Sequence, residues 1–330
     1  MPAYLKPQEW LSVLRTEYLQ SFILSGGAAV KFVIPSEEFE TVEIKTGLQK
    51  LAGESGFLFA SVDASATKIH LIEHIFFQVA RQVDWEGLAY SFLRNSLEGH
   101  YKLPDNREQF NLKNLAFLNE YDEPEMRRAI NERLKKALYQ DYAMTQEFRL
   151  AMVRLCQAQL DPAEVSAELC DTVKSWLRGE LRRMSALKPA LIFQRIGRHN
   201  ARHLLFSLSH WLRISGHNGL VLVLDISRYL QERPKGLVET LYYSKPAVLD
   251  CYEVLRQFID ETDEAEFLFT VVLAPTRFLN EDERRSVHWY QALKLRIWNE
   301  VHDKVHANPL SPLVRVSSCS HTETDRGQGL

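Results

Sequence analysis

Four short, nearly continuous apolar runs, separated by long stretches of helical periodicity, restrict this chain to a small set of folds. They are Ala29-Val30-Lys31-Phe32-Val33-Ile34, Phe57-Leu58-Phe59-Ala60-Ser61-Val62, Gly219-Leu220-Val221-Leu222-Val223-Leu224-Asp225 and residues 266–274. Runs without alternation suit strands buried on both faces, which occur in mainly parallel sheets with right-handed helical crossovers. The predicted fold is therefore α/β, a mainly parallel sheet flanked by helices. Ligands of such sheets sit beyond the carboxyl ends of the strands, which directs attention to residues 35–41, 63–66, 225–228 and 274–278.

The helical stretches fill in the order. Trp10, Leu11, Leu14, Tyr18, Leu19 and Phe22 recur at helical spacing until Gly26 and Gly27 stop them. Helices are expected over residues 37–53, 67–83 and 244–261, with a long amphipathic one over 281–305. Residues 85–214 read as almost wholly helical, a large insertion between strands. The organisation expected is a first part of the sheet domain at 1–84, the helical insertion at 85–214, a second part at 215–310, and a disordered tail at 311–330, where Ser, Thr and Gly outnumber apolar residues.

Composition excludes several classes. The chain of 330 residues is 45% hydrophobic and carries a formal net charge of -3, so it can build a sizeable core but shows no overall polyanion-binding charge. Cys156, Cys170, Cys251 and Cys319 form no CxxC pair, which argues against a zinc site and a disulfide framework. No metal site is expected: His199 and His203 share a helical face but have no carboxylate near them in sequence. There is no GxSxG element for nucleophilic catalysis. No signal peptide opens the chain, and no apolar run approaches the roughly 20 residues that span a bilayer. A cytoplasmic protein without a membrane partner is expected.

The run Leu220 to Leu224 ending in Asp225 is similar to a Walker B segment, whose carboxylate at the strand tip helps hold the magnesium of a bound nucleotide. Hydrolytic forms carry a second acid next, and here that position is Ile226. A Walker A loop, GxxxxGK followed by Ser or Thr, should follow the first strand, so that its N–H groups and lysine surround the phosphates. After Ile34 the chain instead reads Pro35-Ser36-Glu37-Glu38-Phe39-Glu40-Thr41-Val42-Glu43. Each like-charge contact at about 4 Å would oppose a triphosphate by roughly 4 kcal/mol at an effective dielectric near 20. By themselves, Glu37, Glu38 and Glu40 suit the solvated first turn of a helix.

The order of these pieces resembles the ATP-binding proteins of BREX-type bacteriophage-exclusion islands, within the AAA and origin-recognition-like class of P-loop ATPases. The segments that carry the resemblance are Phe22-Ile23-Leu24-Ser25-Gly26-Gly27 running on to Phe32, Val62-Asp63-Ala64, Arg195-Ile196-Gly197-Arg198-His199-Asn200-Ala201, Gly216-His217-Asn218-Gly219 running into Asp225, Tyr252 to Glu261, Ala274-Pro275-Thr276-Arg277-Phe278-Leu279 and Tyr290 to Ile297. The resemblance implies a P-loop NTPase-like (AAA/STAND-like) fold and a place in phage defence or mobile-element DNA processing beside an active ATPase, helicase or nuclease. Asp225 and Thr276 would be remnants of the nucleotide site, and Arg277 and Arg296 candidates to act on a neighbour's nucleotide. With no Walker A loop and Ile226 in place of an acid, the expected function is that of a non-hydrolysing ATPase-like subunit with no cofactor. The alternative is an ATPase that uses an atypical loop or an oligomer interface, with ATP and Mg as cofactors.

One segment departs from the average charge. Between Lys174 and Arg213 nine Lys or Arg face a single acid, Glu180. Lys188, Arg182, Arg183, Arg195, Arg198 and Arg202 are the candidate nucleic-acid contacts, and DNA the candidate partner. The competing reading is a basic helix facing the acidic stretch 261–266.

Overall fold

The computed structural model describes residues 4–161, 165–231, 241–298 and 307–318. Five parallel strands form one sheet in the order β2-β3-β4-β1-β5, where β1 is Ala28–Pro35, β2 Leu58–Asp63, β3 Leu220–Asp225, β4 Leu268–Leu273 and β5 Leu313–Val316. The register is continuous across the middle of the sheet: Leu222 pairs with Ala60 on one side and Thr270 on the other, and Phe32 pairs with Val272 and Leu313.

Successive residues of each strand face opposite layers, so the sheet divides the core in two. Phe32, Ile34, Leu222, Leu224 and Val272 face the larger core. Between β2 and β3 lie α3 (Ile72–Arg81), α4 (Trp85–Leu97), α5 (Leu112–Leu118), α6 (Glu123–Leu134), α7 (Gln146–Leu160), α8 (Ala167–Leu177) and α9 (Ala201–Ile214). Their apolar faces join that same core, together with α10 (Lys245–Asp260) and α11 (Gln291–Ile297). Val33, Val221, Val223, Phe269 and Val271 face a smaller core closed by α1 (Pro7–Val13), its π-helical continuation Leu14–Phe22, and α2 (Glu38–Glu54). At Gly219 the approach to β3 requires glycine, because φ is +129° and a Cβ would lie 2.2 Å from the carbonyl oxygen of Phe267.

Three expectations change. Residues 313–316 are not a disordered tail but a strand. Its outer side is bridged by Leu5, which donates to Arg315 O at 2.9 Å and accepts from Ser317 N at 2.9 Å. The buried Lys31 ammonium holds its approach by donating to the carbonyls of Leu310 and of Ser311 (3.0 Å), 4.7 Å from the centre of the Tyr18 ring. The long helix over 281–305 is confined, among the described residues, to α11. Before it, the Tyr252 hydroxyl takes the carbonyl of Arg285 at 2.5 Å and Val287 is buried, so this stretch packs as turns; residues 299–306 lie outside the described residues. The helix over 67–83 begins only at Ile72, because the preceding loop is tied by the Tyr243 hydroxyl to Thr67 O at 2.8 Å and by the N–H of His70 to the Tyr229 hydroxyl at 2.7 Å.

Candidate functional site

A cleft of about 640 Å³ opens at the carboxyl ends of the strands. Its walls are the exit of β1 with the first turns of α2 (Ser36, Glu37, Glu38, Thr41, Lys45), the tips of β2 and β3 (Asp63, Asp225), the turn after β3 (Ser227, Arg228) and the turn after β4 (Pro275, Thr276, Arg277). Asp225, Thr276 and Arg277 are thus brought together. Phe278, buried and stacked on Phe32 with ring centroids 6.0 Å apart, anchors the turn that presents the last two. Arg296 does not line the cleft; its guanidinium forks onto Asp260, with one arm at 2.9 Å, and donates to Ala292 O.

Asp63 and Asp225 are register partners on neighbouring strands, so two carboxylates stand side by side. Each is held in a local turn, Asp63 accepting from the N–H of Ser65 at 2.6 Å and Asp225 from the N–H of Ser227 at 3.0 Å. Burial raises the Asp225 carboxyl above its ordinary range, and the charge of Asp63 adds to this against the pull of the Ser227 hydrogen bonds and Lys45. Ile226, at the position of a second acid, is fully buried in the larger core, where a carboxylate would be desolvated and unpaired.

The β1–α2 junction contains the residue that the sequence reading misplaced. Glu37 and Glu38 are exposed, as expected of a solvated first turn, but Glu40 is fully buried. One carboxylate oxygen accepts from the N–H of Ser36 (2.8 Å), the Ser36 hydroxyl (2.8 Å) and the N–H of Glu37 (3.1 Å). The other accepts from the N–H of Ser318 at 2.5 Å, just beyond β5. Burial alone would raise the Glu40 carboxyl, but the bonds from Ser318, Ser36 and Glu37 outweigh it and hold the group below its ordinary range. Backbone donors at a strand-to-helix junction are where a phosphate would normally bind. Here the chain supplies its own anion. The readable signal was a Glu at the third helical position, which can reach back to the N-terminal N–H groups.

The basic segment divides in two. On α9, Arg202 pairs with Glu261 and donates to Gln257 at 2.6 Å, His203 lies 3.8 Å from Glu264, and His210 contacts Asp141 at 2.9 Å and Glu266 at 3.1 Å. This half faces the acidic stretch 261–266. Arg182, Arg183, Lys188, Arg195 and Arg198, on the 3₁₀ segment Met184–Ala190 and its flanking loops, are exposed. His203, Glu261 and Glu264 are the metal-capable side chains that the described residues bring together, with ligand atoms within 4.8 Å, but Arg202 already engages Glu261. Cys156, Cys170 and Cys251 are buried free thiols; Cys319 lies outside the described residues.

A parallel α/β sheet with a polar cleft at its carboxyl edge and a carboxylate at the tip of β3 is consistent with a P-loop NTPase-like domain. Residues 107–325 match the family of the BREX system ATP-binding protein BrxC/D, and the chain belongs to that family. That membership connects it with a phage-defence system and with other subunits of the same system. No curated protein and no solved structure matches the chain. No helix among the described residues is long and apolar enough to cross a membrane.

Proposed function

We propose that this chain is a non-hydrolysing, P-loop NTPase-like subunit of a cytoplasmic phage-defence complex, working beside an active ATPase, helicase or nuclease and contacting DNA. The observation that carries the reading is Glu40: its carboxylate engages the N–H groups of Ser36 and Glu37 that a triphosphate would need. Glu37 and Glu38 add negative charge to the same wall of the cleft, and Ile226 offers no base for an attacking water. The residues at this junction do not fit ATP held in the usual mode. DNA contact is supported by the exposed cations of residues 182–198.

Titration calorimetry with Mg–ATP, together with an ATPase assay, tests the reading. No binding at millimolar nucleotide and no turnover are expected. Tight binding that disappears in Asp225→Ala would sink it. Arg277 favours a second reading, since it lines the cleft and could meet a nucleotide held by a neighbouring subunit. In that case a mixture with the partner ATPase would turn over ATP and Arg277→Ala would slow it.

A further inference from the structure

We infer that the loop of residues 191–198 is a stacking platform for single-stranded DNA, with Phe193 receiving a base while Arg195 and Arg198 contact the flanking phosphates. The inference rests on the DNA contact proposed above and names its substrate class.

The loop is built rather than loose. Ile192 and Ile196 are buried and anchor it at two points. The Trp176 indole donates to Gln194 O at 3.0 Å, and Asn200 clamps both sides of the bend by accepting from the N–H of Gly197 at 2.9 Å and donating to Arg195 O at 3.1 Å. Between and beside these anchors Leu191, Phe193, Gln194 and Arg195 face outward, with Phe193 67% and Leu191 52% exposed. Leu191 holds this direction in a left-handed conformation, φ +61°, which a branched side chain rarely adopts without a fixed surrounding. An aromatic ring held out on a rigid loop loses little entropy when a ligand covers it.

The surroundings select the ligand. Arg195, Arg198 and Lys188 are exposed on the same stretch. Arg198 and Lys68, both exposed, act on the charge of His70 from separate segments of the chain, as does the acid Asp250 with the opposite sign. A duplex keeps its bases stacked and offers phosphates alone to such a surface. Unpaired bases offer π-faces, and rings interleaved with guanidinium groups are the arrangement that holds single strands without sequence preference.

Fluorescence anisotropy with labelled oligothymidine and a blunt duplex of equal length, over a range of salt, tests this. The full chain is expected to prefer oligothymidine. Phe193→Ala should weaken that binding about tenfold, leave duplex binding and the salt slope alone, and be rescued by Phe193→Trp. The double variant Arg195→Ala, Arg198→Ala should instead lower the salt slope by about 1.4, the value for two single-strand phosphate contacts. Matching thermal melts confirm that the exposed replacements leave the fold intact. If the arginine pair matters but Phe193→Ala does not, the platform is overturned while DNA contact stands; if neither nucleic acid binds, both fall.

Discussion

Strands β1 and β3 end on the same cleft with only β4 between them, yet the two ends differ in what they present. The tip of β3 presents a carboxylate that is held locally, Asp225 accepting from the N–H of Ser227 in a short turn. The end of β1 cannot be left in that way. A strand running into a helix exposes several N–H groups at once, and without phosphate they need another acceptor. Glu40 is that acceptor, and it also ties down the chain beyond β5 through Ser318. A carboxylate at a strand tip can satisfy itself locally, whereas a cluster of main-chain donors needs an acceptor brought to it.

The sharpest way to break this comparison is Glu40→Ala. It removes the acceptor of three backbone N–H groups and a hydroxyl, and at roughly 0.5–1.5 kcal/mol net for each hydrogen bond lost we expect a loss of about 3 kcal/mol in chemical denaturation. A loss under about 0.5 kcal/mol would mean that the junction is held by something else. The depressed Glu40 carboxyl contributes stability that is fully present above its unfolded value of 4.5 and is lost as pH falls through the lower folded value. Glu40→Gln should therefore flatten the acid limb of the stability profile.

Lys31→Met probes the other end of β5 with a smaller effect. Burial pulls the Lys31 ammonium down to about 8 from 10.5, so the unfolded chain holds more protons than the folded one between those values. The stability of the wild type relative to the variant should rise across that interval, and a flat difference would remove the buried ammonium from the account. Asp225→Asn should have the smallest effect, a gain of about 0.5 kcal/mol at neutral pH, since the carboxyl is raised by burial and faces Asp63. A clear loss instead would show that the charge at the β3 tip stabilises the fold.

The strands β1 to β4 were legible because each is a nearly pure apolar run, and the rule for ligand position then pointed to residues 35–41, 63–66, 225–228 and 274–278, each of which contributes residues to the cleft wall. Strand β5 was not legible. Its four residues lie among serines, and what holds it, Lys31 at its approach and Glu40 beyond its end, comes from far along the chain. The same non-locality hid Glu40, whose neighbours Glu37 and Glu38 are the solvated acids that charge patterning expects. The overlong helix before residue 298 failed for a related reason: the Tyr252 hydroxyl captures a carbonyl that a helix would have used. In the basic segment, local sequence did not separate Arg202, engaged by Glu261, from Arg195 and Arg198, which point outward.

Sheet order also sets a timetable. Strand β1 is made well before its neighbours in the sheet: Ala28 waits for Leu268 and Phe32 for Leu313 before either finds its partner. Until those residues are made, an apolar strand with both edges open is available to chaperones and to other nascent chains. Such distant pairings also make for slow folding, and the sheet is complete only when residues 313–316 dock against β1.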